Sequence, residues 1–162
     1  MPASGKSTLG RKLSTALGFN FIDLDVEIEK REWNTVSKIF AEKGEDYFRR
    51  AERDILKTLL IPQTIISTGG GTPCFFDNMD FIKKNGLSIY LKVPVEALAK
   101  RVNLQNNTRP LLNNLQGKQL QEELAAKLAL RSKFYERADL TITDKDTNDI
   151  AKIITLIKQK EE

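Results

Sequence analysis

The sequence predicts an α/β domain in which short parallel strands lie between layers of helix. Two observations carry this. Short apolar runs alternate with segments whose apolar residues recur at helical spacing, the pattern of buried strands joined by crossover helices. In addition, Gly5-Lys6-Ser7 stands at the start of the first helical segment, residue types that cradle phosphate where a strand turns into a helix. The size agrees: 162 residues, 40% hydrophobic and 30% charged, fit one packed domain spanning residues 1–162.

Taken in order, Lys6 to Leu17 reads as a helix stopped by Gly18, and Asn20 to Asp23 as a strand. Val26 to Arg31 and Val36 to Lys43 read as helices, the second stopped by Gly44. From Glu45 to Leu60, the residues Phe48, Ala51, Ile55 and Leu59 share one helical face, and Pro62 ends the run. Thr64 to Ser67 is a buried strand running into Gly69-Gly70-Gly71, Asp77 to Lys84 a short helix, and Leu87 to Val93 a strand. Pro94 opens a helix that reaches Arg101. The polar stretch from Asn103 to Asn114 reads as a mobile loop, Gln119 to Arg137 as a long helix, and Leu140 to Thr143 as the last strand. Ile150, Ile153, Ile154 and Ile157 mark the face of a final helix.

Composition excludes several kinds of function. Without a histidine there is no Ser-His-Asp triad and no His-ligated metal. The single cysteine, Cys74, makes neither an internal disulfide nor a cysteine-built zinc site. No apolar run has the length of a bilayer-spanning helix, and no secretory leader is read at the N-terminus, so a cytoplasmic protein without a membrane partner is expected. The formal charge of +4 is mixed along the chain, which suits a small anionic ligand better than nucleic acid.

The opening Met1-Pro2-Ala3-Ser4-Gly5-Lys6-Ser7 is the phosphate loop G-x-x-x-x-G-K-[ST] without its first glycine. Backbone N–H groups of such a loop surround phosphate oxygens, the lysine reaches the β- and γ-phosphates, and the hydroxyl ligates Mg²⁺. The expected architecture is therefore a P-loop NTPase three-layer sandwich with a central parallel β-sheet. A loop of this type hangs from a strand. That strand is expected upstream of Met1, in mid-sheet, so the chain should show a central gap or poorly held residues 1–5.

Asp23 and Asp25 close the strand Phe21-Ile22-Asp23-Leu24-Asp25, where alternate side chains point the same way. One carboxylate can serve Mg²⁺ through water and the other can deprotonate a hydroxyl; alternatively, Asp25 caps the following helix. Arg49 and Glu52 sit one helical turn apart, which in isolation is a surface ion pair. Gly69-Gly70-Gly71 suits a place where a ligand meets bare backbone.

Together these pieces resemble the shikimate kinase family over nearly the whole chain. The resemblance rests on Gly5-Lys6-Ser7-Thr8, Asp23-x-Asp25-x-x-Ile28-Glu29, Ile39-Phe40, and Gly44-Glu45-x-x-Phe48-Arg49-x-x-Glu52. It continues through Ser67-Thr68-Gly69-Gly70-Gly71, Arg109-Pro110-Leu111-Leu112, and Arg131 with Tyr135. It implies transfer of the ATP γ-phosphoryl group to the 3-hydroxyl of shikimate, with Mg²⁺ as cofactor, in a protein working as a monomer. By the same resemblance, Lys6, Asp25 and Arg109 are catalytic, and Ser7 and Asp23 serve the metal. Arg49 and Arg131 grip the shikimate carboxylate, Gly70 and Gly71 offer backbone to it, and Glu52 holds the arginine. Phe40 and Phe48 wall the pocket. Ala3, Ser4, Gly5, Lys6, Ser7, Thr8, Arg101 and the lid residue Arg109 contact ATP, with Arg101 near the adenine although one residue further from Arg109 than the family pattern.

The chain departs from that pattern in places. Ala3 replaces a glycine, tightening the loop, and Leu24 replaces a small hydroxyl residue and should point away from the site. Trp33 and Cys74 are expected to pack. The alternatives are a non-catalytic P-loop protein that has lost its first strand, or another small-molecule kinase acting on gluconate or a nucleoside monophosphate. The Arg49–Arg131 pair argues against a nucleotide acceptor.

Overall fold

Gly5, in the left-handed region at φ 92°, starts helix α1 (Lys6–Leu17), and Gly18, at φ 70°, ends it by donating its N–H to the carbonyls of Ser14 and Thr15. The chain then runs through β1 (Asn20–Asp23), α2 (Leu24–Glu32), α3 (Val36–Thr58), β2 (Thr64–Ser67), α4 (Asn78–Asn85) and β3 (Ile89–Lys92). It continues through α5 (Val95–Leu104), α6 (Gly117–Tyr135), β4 (Leu140–Thr143) and α7 (Ile150–Glu161). Short 3-10 turns at Thr72–Cys74 and Asp144–Asp146 complete the path. This computed structural model describes residues 1–104 and 115–161. The expected lid and its Arg109 lie outside the described residues, apart from Asn103 and Leu104, which continue α5 instead of opening the loop.

The strands are parallel but do not form one sheet. β1 pairs with β2 in register from Asn20 opposite Thr64 to Asp23 opposite Ser67. β3 pairs with β4 from Ile89 opposite Leu140 to Lys92 opposite Thr143. Among the described residues no ladder joins β2 to β3, so two two-stranded sheets replace the continuous central one that the sequence suggests. A central gap is thus present, whereas residues 1–5 are not poorly held: Met1, Ala3 and Ser4 are all buried. The gap is a cavity of about 140 Å³ lined by Ile66 and Thr68 on one side and Ser88 to Leu91 on the other, with Met1 and Lys6 at its end. β3 is shorter than the expected Leu87 to Val93, because only the stretch facing β4 has a ladder partner.

Alternation along the strands feeds both faces. Ile65, Ile89 and Leu91 point into a core with Leu9 and Leu13 of α1, Ile142 of β4 and Ile153 of α7. Ile22 and Ile66 point the other way, against Leu24 and Ile28 of α2 and Ile39, Phe48 and Ile55 of α3. Beyond the gap, Tyr90 packs against a third cluster of Met1, Val93, Leu98, Leu120, Leu124 and Tyr135. Leu24 is fully buried in the second of these cores, away from the site as expected.

Gly44 separates two helical runs as expected: its φ of 79° and ψ of 172° are not helical, so α3 is a pair of helices meeting at a kink there. One local feature differs from the reading of the sequence. Trp33 does not pack: it ends α2 at φ 50° and is 94% exposed, because the helix turns left-handed there and carries the ring clear of the α2–α3 seam.

Candidate active site

One end of the fold gathers the phosphate loop. Lys6 Nζ donates to the Met1 carbonyl at 2.9 Å and lies 3.4 Å from Ser4 Oγ, which itself donates to the same carbonyl at 3.0 Å. Ala3 holds φ at 53°, a left-handed conformation that costs a Cβ-bearing residue roughly 1–2 kcal/mol. Arg101 Nη1 donates to the Ser4 carbonyl at 3.3 Å and its Nη2 pairs with Asp144, so it braces the loop from α5. Thr8 is exposed in the first turn of α1. Ala3, Ser4, Gly5, Lys6, Ser7, Thr8 and Arg101 therefore meet at one end.

Asp23 and Asp25 also reach this end, by a different local geometry from the one expected. The strand stops at Asp23 and α2 begins at Leu24, so the two aspartates are not alternate residues of one strand. Nor does Asp25 cap the helix. Asp23 does, accepting the Asp25 N–H on Oδ1 at 3.2 Å. Its other oxygen, Oδ2, accepts the Ser7 hydroxyl at 2.6 Å, and Ser67 Oγ lies 3.3 Å from the same hydroxyl. The Asp25 carboxylate lies beside Gly69: a Cβ built there would be 3.2 Å from Asp25 Oδ1 and 2.8 Å from Glu52 Oε1.

The side that carries Arg49 is buried. Arg49 is 7% exposed and Glu52 is 0% exposed, so their pair, Nη1 to Oε2 at 2.9 Å, is not the surface bridge that spacing alone suggests. Glu52 also accepts the Thr72 hydroxyl at 2.5 Å. Rings surround the guanidinium, with Phe75, Phe48 and Phe40 centred 4.3, 5.2 and 5.8 Å from Arg49 Cζ. A Cβ on Gly71 would sit 2.7 Å from both Arg49 Nη atoms. The bare backbone at Gly69 and Gly71 thus makes room for the protein's own charged network. Arg131 arrives from α6, its Nη1 3.5 Å from the position of a Cβ on Gly70.

Sequence reasoning singled out Tyr135 without a role and missed Phe75. Tyr135 donates its hydroxyl to the Gly70 carbonyl at 2.5 Å while its ring stacks on Tyr90 with centroids 5.1 Å apart. Burial pushes its phenol up to about 12, so it remains a donor. Its spacing of four from Arg131 on one helix was the available signal. Phe75, which lies closest to the Arg49 guanidinium, had none, since it follows a 3-10 turn that the sequence did not reveal. Cys74 is half-buried, and burial pushes its thiol up against the opposing pull of Arg131 and Arg49, as befits a packing residue.

Comparison with known proteins bears on the whole chain. The family model described as Shikimate kinase matches residues 2–161. A shikimate kinase of Parabacteroides distasonis is 44% identical over 161 residues, covering 95% of this chain and 93% of the relative. One from Clostridium botulinum is 42% identical over 98% of this chain and 91% of its own length. Among solved structures, shikimate kinase from Bacteroides thetaiotaomicron superposes with a TM-score of 0.91 at 32% identity, covering 96% of this chain and 93% of its own. Shikimate kinase from Acinetobacter baumannii in complex with shikimate gives 0.87 at 34% identity, covering 98% and 89%.

Proposed function

The chain belongs to the shikimate kinase family, and on that premise we propose how its residues divide the reaction. The activity is that of an ATP-dependent shikimate kinase of the P-loop fold. The 3-hydroxyl oxygen of shikimate bonds to the γ-phosphorus, the bond from that phosphorus to the bridging oxygen breaks, and ADP leaves. Such transfers need positioning and charge neutralisation more than covalent chemistry.

Asp25, beside Gly69, receives the hydroxyl proton. Lys6, now resting on the Met1 carbonyl, turns to the phosphates, and Arg109 neutralises them from the lid. Arg49 and Arg131 hold the shikimate carboxylate from two sides of Gly70-Gly71, whose backbone lines the contact. Ser7 and Asp23 present a hydroxyl and a carboxylate oxygen 2.6 Å apart, hard donors of the kind Mg²⁺ takes alongside waters and substrate phosphates. Bound there, Mg²⁺ supplies charge neutralisation to the phosphates. We take the working unit to be a cytoplasmic monomer. Among the described residues, no helix is long and apolar enough to cross a membrane.

The observation that carries this reading is the buried Arg49–Glu52 pair beside Gly71, at the same end of the fold as the phosphate loop. A coupled ADP-release assay with purified chain tests it. Shikimate should stimulate ADP release, while gluconate and nucleoside monophosphates should not. Stimulation by one of those instead would reassign the acceptor, and nucleotide binding without release would leave a non-catalytic P-loop protein.

A further inference from the structure

The guanidinium of Arg49 is held by two carboxylates of different character. Nη1 donates to Glu52, which is wholly enclosed and also takes the Thr72 hydroxyl. Nε and Nη2 both donate to Glu45 Oε1, at 3.1 and 2.9 Å. The Glu45 side chain is 53% exposed. It follows Gly44, the non-helical kink of α3, so the helix holds it on one side only. One carboxylate is fixed and the other is loose.

We infer that Glu45 is a displaceable stand-in for the substrate's carboxylate. This rests on the reading of Arg49 as the group that grips shikimate. The Nε–Nη2 edge is the fork that a carboxylate takes bidentately, and Glu45 occupies it. A third carboxylate brought to Arg49 beside Glu45 and Glu52, with Asp25 close by, would meet like charge, so one must leave. Glu52, wholly enclosed and bonded to Thr72, has no water to turn into, whereas Glu45 needs only to turn into water. The exchange keeps Arg49 aimed while the pocket is empty. It also means that a ligand lacking a carboxylate does not evict Glu45. Glu45 is a positioning residue acting through Arg49.

The test compares wild type, Glu45→Gln, Glu45→Ala and Arg49→Ala. It measures shikimate KM and kcat, calorimetric binding of shikimate without nucleotide, and binding of the carboxamide analogue of shikimate. Removing the competing charge should tighten shikimate about two- to tenfold in both Glu45 variants. Carboxamide binding should not change. Weaker or unchanged shikimate binding in Glu45→Gln and Glu45→Ala overturns the inference, as does an equal gain for the carboxamide. Arg49→Ala separates the two levels. If it leaves shikimate binding intact, the reading of Arg49 fails and the exchange falls with it. If it abolishes binding while the Glu45 variants show no gain, only the exchange fails.

Discussion

The two halves of the site are built differently. At the acceptor end, Arg49, Glu52 and Thr72 form a buried charged network ringed by phenylalanines and fitted against glycine backbone. At the phosphate end, the loop is held by short local bonds: Lys6 and Ser4 on the Met1 carbonyl, and one arginine bracing from outside. Such local contacts are remade at small cost when a nucleotide arrives, whereas a buried ion pair is not. The lesson is one of timing. On the proposed assignment, the Arg49 end is set by the fold before shikimate arrives, and the Lys6 contacts are remade when nucleotide binds.

The largest effects should therefore come from the acceptor end. Glu52→Ala strips a buried arginine of its enclosed partner and should cost about 3–5 kcal/mol of stability by urea unfolding. Arg49→Ala should raise the shikimate KM by an equivalent of about 2–5 kcal/mol and leave the ATP KM nearly unchanged. Equal effects on both substrates would erase the distinction between the two ends.

A smaller effect sharpens it. Tyr135→Phe removes the donor to the Gly70 carbonyl and should destabilise the chain by about 1–3 kcal/mol, with a rise in shikimate KM. An effect on ATP alone would show that α6 supports the phosphate end instead.

The smallest expected effect lies away from both ends, where β3 and β4 begin. Burial pulls the Asp139 carboxyl upward, but Lys83 and Ser88 outweigh it and hold it down from the ordinary 3.8 to about 2. A depressed carboxyl stabilises the fold above its unfolded value, and that stability is lost as pH falls toward 2. The melting temperature gap between wild type and Asp139→Asn should shrink between about pH 4 and pH 2, and a gap independent of pH would remove Asp139 from the account.

Much of this was legible in the sequence, for identifiable reasons. α1, β1, β2 and β4 begin and end where Gly18, Asp23, Gly69 and the apolar run at Leu140 put them. Local chemistry sets those limits. The aspartates were placed at the right end by the wrong geometry, because Asp23 serves as both strand end and helix cap, a choice settled by its bond to Ser7. The Arg49–Glu52 pair looked like surface because spacing carries no information on burial, which comes from Phe75 and Gly71 more than twenty residues away. Glu45 did carry a sign, its i,i+4 spacing to Arg49, but spacing does not say which edge of the guanidinium it takes.

The divided sheet has a mechanical consequence. Two strands are too few to stand as a sheet by themselves, so each pair depends on the helices that cover it. Among the described residues, what ties the pairs together on one face is side-chain packing: Leu9 and Leu13 of α1 and Ile153 of α7 join Ile65 of β2 to Leu91 of β3. Packing without a ladder transmits force less stiffly than backbone bonds, so β1–β2 and β3–β4 should open as two cooperative units. Native-state hydrogen exchange should resolve one opening free energy for Phe21 to Ile22 with Ile65 to Ile66, and another for Tyr90 to Leu91 with Thr141 to Ile142. A single shared value would mean that α1 and α7 weld the halves into one body.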